Sequence, residues 1–306
     1  MQQDAVTAHD VYSYGVVSSS TLYTVSGAFP GPDGYAEIDD EVSMIGGEAA
    51  NSSIVLSRLG VRVKLDGNWL GDDAAGRHTK ALLDDRQIDT SRLRLLDNYQ
   101  GVRETVVAAG GTRTIFATYG RLLKAGDWNM PVEEDVVRAK VVCVDPFFRE
   151  ASRRAAGIAF NAGIPVVTVD CLHDDPLLRH ASVTVISEAF IRGSYPGRAI
   201  EDLWQAYVES TDGLVVLTFG ERDILSGRRG SGIKAMPAYP VEAIDTSGAG
   251  DSFRAGVGYG VLQGWDDTET IDFAAAVAGI VCTRTPGTLN SPGLAEVLAF
   301  MRAHRG

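Results

Sequence analysis

The sequence predicts a doubly wound α/β fold, a mostly parallel sheet flanked by helices, with a small antiparallel β lid. Three observations predict it. Short β-branched runs alternate with amphipathic helical stretches through most of the chain. Several of those runs are apolar at every position, as in strands covered on both faces. Two regions, residues 12–45 with a polar, Gly/Pro-punctuated stretch inside and 102–118 with a hairpin pattern, interrupt the alternation where no βαβ unit fits.

In chain order, strands are expected at 61–65, 141–145, 166–170, 183–187 and 214–219. Helical patterns fall between them at 48–59, 73–86, 150–162 and 199–209. In the first interruption, GAFPGPDGYAEIDD at 27–40 separates two possible strands; it carries too little apolar surface for a core and is expected in the lid. In the second, VRETVVAAGGTRTIFAT reads as two strands joined by Ala-Gly-Gly, a hairpin signal. The last third is helical at 248–265, despite its glycines, and again at 268–283 and 294–304.

A length of 306 residues with 45% hydrophobic content suits one domain with an ample core, spanning 1–306. The net charge is −12, and no Lys/Arg cluster is present to neutralise a duplex, so nucleic acid is excluded as a partner. An anionic nucleotide is not excluded, because backbone amides and a metal can bind phosphate. Cys143, Cys171 and Cys282 are odd in number and lack metal-ligand spacing, as expected of reduced thiols. MQQDAVTAHD has neither a basic n-region nor an apolar h-region. No apolar run approaches the ~18 residues of a membrane helix. The expected location is the cytoplasm, away from membranes.

The chemistry concentrates in DTSGAGDSFRAG, residues 245–256. A strand-like run, VEAID, leads into small residues and then a helix. Uncovered amides at a helix N-terminus, together with the positive end of its dipole, form an anion site. The amides of Gly248, Ala249 and Gly250 are the expected donors. Asp251 follows in the first turn, placed to take a proton from an attacking alcohol, as phosphoryl transfer requires. GGEAAN at 46–51 adds a second pattern. Its Gly46-Gly47 turn lets backbone approach a polyol, and Asn51 projects a two-sided amide from the helix that follows.

These strings resemble the two signatures of the ribokinase (PfkB) carbohydrate kinase family, DTxGAGDxF and GGxxxN…LxxLG. Weaker echoes are Gly71-Asp72-Asp73 with Gly76, Ile88-Asp89-Thr90, Thr112-Arg113-Thr114 and Thr218-Phe219-Gly220. The resemblance runs from about residue 12 to 304. It implies transfer of the γ-phosphoryl group of ATP to a hydroxyl of a sugar or similar polyol, with Asp251 as base. It further implies acceptor contacts at Ser20, Gly46, Gly47, Asn51 and Arg113, and nucleotide contacts at Thr218, Gly220, Thr246, Gly248 and Gly250. Magnesium is implied, with a potassium ion as a further cofactor. Glu188, Asp245 and Ser247 are the metal candidates, and the 287–291 loop is a further place for the monovalent ion. A homodimer through the lid is the implied assembly.

The chain also departs from the pattern. Ser20 stands where the family carries an acceptor-binding aspartate. Ser187-Glu188-Ala189-Phe190 replaces the NxxE motif, leaving Glu188 either to reach a metal-bound water or to sit in solvent at a helix start. Asp223 replaces a glycine of the nucleotide loop. Arg254 lies nearly on the face of Asp251, to meet either an anionic substrate group or a carboxylate of the protein. Asp145 and Asp170 end strands at the sheet edge where ligands bind. A nucleoside kinase is the alternative within the family; a non-catalytic sugar- or nucleotide-binding protein keeping the fold is the alternative outside it.

Overall fold

A computed structural model describes residues 9–110 and 112–304. The leader reading, which rests largely on residues 1–8, and Gly111 of the hairpin turn lie outside the described residues. The first elements are strands β1 (Val11–Gly15), β2 (Ser18–Val25) and β3 (Ile38–Gly46), then helix α1 (Glu48–Arg58). Next come β4 (Val63–Gly67), β5 (Leu70–Gly71), α2 (Ala74–Asp84), β6 (Leu95–Leu96), β7 (Arg103–Ala109), β8 (Thr112–Ala117), α3 (Tyr119–Ala125) and α4 (Glu133–Val137). The middle holds β9 (Val141–Val144), α5 (Glu150–Asn161), β10 (Val166–Val169), β11 (Val183–Ser187), α6 (Glu188–Ser194), α7 (Ile200–Ser210) and β12 (Leu214–Thr218). The chain ends with β13 (Ile224–Gly227), β14 (Lys234–Met236), α8 (Ala249–Gln263), α9 (Asp267–Cys282) and α10 (Leu294–His304).

The main sheet has eight strands in the order β14-β13-β12-β11-β10-β9-β1-β4. It is parallel from β4 to β12 and antiparallel only at β13 and β14. The runs VVCV and VVTV become β9 and β10, buried throughout, with the Thr168 hydroxyl donating to the Val144 carbonyl at 2.9 Å. One apolar cluster lies between the sheet and α1, α8, α9 and α10; the other lies on the opposite face beneath α5 and α7. Helix α8 tolerates its glycines because they let α9 approach: a Cβ at Gly256 would stand 2.5 Å from Ala274 Cα. No described helix is long and apolar enough to cross a membrane.

The second sheet runs β3-β2-β7-β8, two antiparallel pairs joined by a parallel β2–β7 contact. Its extent corrects one expectation. The lid does not begin at residue 12, because Val11–Gly15 is an inner strand of the main sheet, wholly buried. The tyrosines that made this run look polar have satisfied hydroxyls: Tyr12 donates to Asp66 at 2.8 Å and Tyr14 to the Asn129 carbonyl at 2.6 Å. The lid proper starts at Ser18. Its loop between β2 and β3 is exposed along most of its length.

Chain direction across the main sheet reverses between β1 and β9. From β1 the chain passes to β4 on one side; from β9 it proceeds outward on the other. In open α/β sheets the crevice at the carboxyl edge of such a point is where ligands bind. Gly15, Asp145, Ser187 and Thr218 all end or follow strands at that edge.

Candidate active site

The DTSGAGD string forms a tight turn into α8. Asp245 Oδ1 accepts from the Ser247 amide at 2.8 Å, and Gly248 caps the helix at φ 74°, a left-handed conformation that favours glycine. A Cβ at Gly248 would also lie 2.4 Å from Thr288 Cγ2. The first helical bond runs from the Ser252 amide to the Gly248 carbonyl at 2.9 Å. Among the described residues, the Gly248, Gly250 and Asp251 amides have no protein partner, as helix geometry dictates. The Ala249 amide differs from expectation: it is turned to the Thr246 carbonyl at 3.3 Å. Nor is VEAID a strand. Residues 241–245 follow Pro240 away from the sheet, and the Ile244 and Asp245 amides are pinned to the Cys282 carbonyl at 2.8 and 3.1 Å.

Asp251 sits in the first turn of α8. Its Oδ2 accepts from Asn51 Nδ2 at 2.8 Å, across 200 residues of sequence. Burial pushes the Asp251 carboxyl up to about 7, against the opposing pull of Arg254 and of the Asn51 hydrogen bond; Asp145 and Glu104 push it further up. A base poised near neutrality is matched to proton transfer. Asn51 is 7% exposed, and its Oδ1 is buried without a partner.

The Gly-Gly turn brings α1 to this point. Gly47 takes φ 90°, and Val16 O stands 2.3 Å from where a Cβ would be, so both its backbone and its surroundings call for glycine. At Gly46 a Cβ would fall 1.8 Å from Glu104 Oε2, so the missing side chain is the space that a carboxylate fills. Ser20, the substitute for an aspartate, donates to this same Glu104 at 2.5 Å. Ser18 donates to it at 2.9 Å, and the Tyr119 hydroxyl bonds its other oxygen. Glu104 thus sets a carboxylate from the neighbouring strand β7 beside Ser20, a residue that sequence reasoning missed. Glu48, also missed, has a buried Oε2 without a partner; burial raises its carboxyl well above the usual range, and Asp145 and Asp251 raise it further.

Beneath the site lies Arg254, 0% exposed. It bonds Asp145, donates from Nε to Ser52 Oγ at 2.9 Å and donates from Nη2 to the Glu48 carbonyl at 2.8 Å. Of its two expected partners, the structure gives it the protein carboxylate. Asp145 Oδ2 accepts from the Val16 amide at 2.8 Å. Asp170 is taken by the Ser187 amide and hydroxyl at 2.7 and 2.9 Å.

From the lid, Arg113 reaches the turn and donates to Thr246 Oγ1 at 2.7 Å. Thr218 ends β12, and Gly220 follows with φ 67°. Glu188 opens α6 beside them but pairs with Arg222 at 2.7 Å. Among the described residues, no three His, Cys, Asp or Glu side chains converge as a metal centre. Asp245 Oδ2 and Ser291 Oγ are buried without partners.

A parallel sheet with an amide-lined turn at its ligand edge, facing a carboxylate near neutrality, defines a phosphotransferase class of site. Known proteins agree. The model of the pfkB family carbohydrate kinases matches residues 13–293. A 5-dehydro-2-deoxygluconokinase of Clostridium botulinum is 25% identical over 289 residues, covering 84% of each chain. A ribokinase of Haemophilus influenzae is 24% identical, covering 84% of this chain and 87% of its own. Among solved structures, Arabidopsis thaliana ribokinase complexed with ribose and ATP has a TM-score of 0.81 at 20% identity, covering 97% of this chain and 99% of that one. The chain belongs to the pfkB family of carbohydrate kinases, ATP-dependent kinases of carbohydrates or nucleosides.

Proposed function

We propose that the protein transfers the γ-phosphoryl group of ATP to a hydroxyl of a sugar or sugar-like polyol, with Asp251 as general base. The observation that carries this reading is the 2.8 Å bond between Asn51 and Asp251 beside free amides of the α8 turn. The acceptor hydroxyl sits beside the Asn51–Asp251 pair, within reach of the Asp251 oxygen that Asn51 does not hold. Its oxygen bonds to the γ-phosphorus as the bond to the bridging oxygen of ADP breaks, and its proton passes to the Asp251 carboxylate. The Gly248 and Gly250 amides hold the charge that develops on the phosphoryl oxygens.

Magnesium, when bound, neutralises the nucleotide phosphates. Asp245 Oδ2 is the free carboxylate oxygen of this chain that fits it, since Glu188 is engaged by Arg222. Asp245 with Ser291 and Ser247 also fits a monovalent cation. Arg113 clamps the lid onto the turn, and Thr218 and Gly220 flank the nucleotide. The lid edge β8, with Ile115 and Phe116 about half exposed, is proposed to pair with a second copy, which light scattering tests.

The function is tested by coupled ADP release with sugars, polyols, sugar acids and nucleosides as acceptors. Turnover on one class above the ATPase background is expected. Equal ADP release with and without every acceptor refutes the reading.

A further inference from the structure

The two halves of the site make opposite demands on what fills them. At the turn, what is unfilled is donors: the Gly248 and Gly250 amides, joined by the Arg113 guanidinium. Around the acceptor, what is unfilled is oxygen. Asn51 Oδ1 and Glu48 Oε2 are both buried without partners, and Glu104 stands in the Gly46 notch.

Among the described residues, no Arg or Lys near the site answers that excess. Arg254 is consumed by Asp145, Ser52 and the Glu48 carbonyl. Arg103, next to Glu104 in sequence, projects from the other face of β7, where Asp73 holds it at 2.5 Å. Arg113 is held at Thr246, on the phosphate side. Asp145 is neutralised by Arg254 and burial favours the neutral form of Glu48, so the negative charge facing this space is that of Glu104, joined by Asp251 when it is ionised. A ligand there must bring donors and tolerate negative charge. An ammonium group offers three donors and a positive charge; a carboxylate or phosphate brings only acceptors.

Building on the kinase reading, we infer that the acceptor end selects a polyol bearing a protonated amine over its neutral parent, and the neutral parent over the matching sugar acid. Glu104 is the residue that sets this order. It bonds Ser18, Ser20 and Tyr119, which fix its carboxylate in the notch.

The test is calorimetric binding of three matched series (a pentose, a hexose and a cyclitol, each as amine, neutral and acid) to the full-length protein at neutral pH. ADP release is measured in parallel. Amine over acid by ~10-fold or more is expected in the series that binds, from one charge near the carboxylates. Glu104→Gln, which keeps the shape, removes the charge and exchanges one acceptor oxygen for a donor, is expected to narrow that ratio by ~3-fold or more. An acid that binds wild type as tightly as its amine overturns the inference, as does an unchanged ratio in Glu104→Gln. Failure of all amines to bind at millimolar concentration also overturns it. If the acid is bound and phosphorylated equally well, the kinase reading stands while the charge inference falls. If the charge order holds without ADP release, the reverse is true. Should Glu104→Gln not fold, the wild-type order alone decides.

Discussion

Replacing Arg254 by Met isolates the feature on which the site rests. The guanidinium is wholly buried, and among the described residues its one charged partner within hydrogen-bond reach is Asp145, itself 0% exposed. Arg254→Met keeps the approximate volume but leaves the Asp145 carboxylate with only the Val16 amide at 2.8 Å. Breaking a buried pair from one side costs ~3–5 kcal/mol, because the remaining charge is uncompensated. A domain stable by ~5–15 kcal/mol would lose a large share of that. A second consequence is functional. The Arg254 charge opposes the upward shift of Asp251, and Asp145, once unpaired, adds to it. The pH at which Asp251 ionises therefore rises above its value of about 7. Adding Asp145→Asn should recover part of both losses, since no buried charge is then stranded. Urea unfolding of the two single variants and the double variant gives the coupling energy, provided the m-values agree. The pH dependence of kcat/KM gives the second readout. A loss below ~1 kcal/mol in Arg254→Met, with an unmoved inflexion, would show that the pair neither holds the fold nor tunes the base.

Three further outcomes are expected. Asp251→Asn should lower kcat by ~10²–10⁴-fold while calorimetry shows ATP still bound, because only the proton acceptor is lost; retention of most turnover would remove Asp251 from the mechanism. In wild type, kcat/KM should rise with pH through about 7, as the base must be ionised to accept a proton. The same raised carboxyl has the opposite effect on stability: the folded state holds a proton that the unfolded chain has released, so its contribution declines as pH climbs from ~4 through about 7, and denaturation of Asp251→Asn should show a shallower decline than wild type. Gly248→Ala places a Cβ on a left-handed residue and against Thr288; it should cost at least ~1–2 kcal/mol in a urea titration and lower turnover through the displaced amides.

What could be read from the sequence, and what could not, divides by the distance over which each residue finds its partners. The α8 turn is local: small residues, a following helix and an aspartate in its first turn are all contiguous, and the string alone places free amides beside Asp251. The parallel core is nearly as local, since a run such as VVCV states by itself that both faces are covered. Val11–Gly15 failed as a local reading because its serine and tyrosines look solvent-facing. Their hydroxyl partners, Asp66 and Asn129 among them, lie 54 and 115 residues further along the chain. Glu104 failed for a stronger version of the same reason. It matters only because β2 and β7 pair in a register that sets Ser20 opposite Glu104, and nothing within either strand specifies that register. Ser20 read alone suggests a weakened acceptor site. Ser20 paired with Glu104 places a carboxylate one strand spacing away, so on the proposed kinase reading acceptor choice turns on cross-strand geometry as well as on the signature residues.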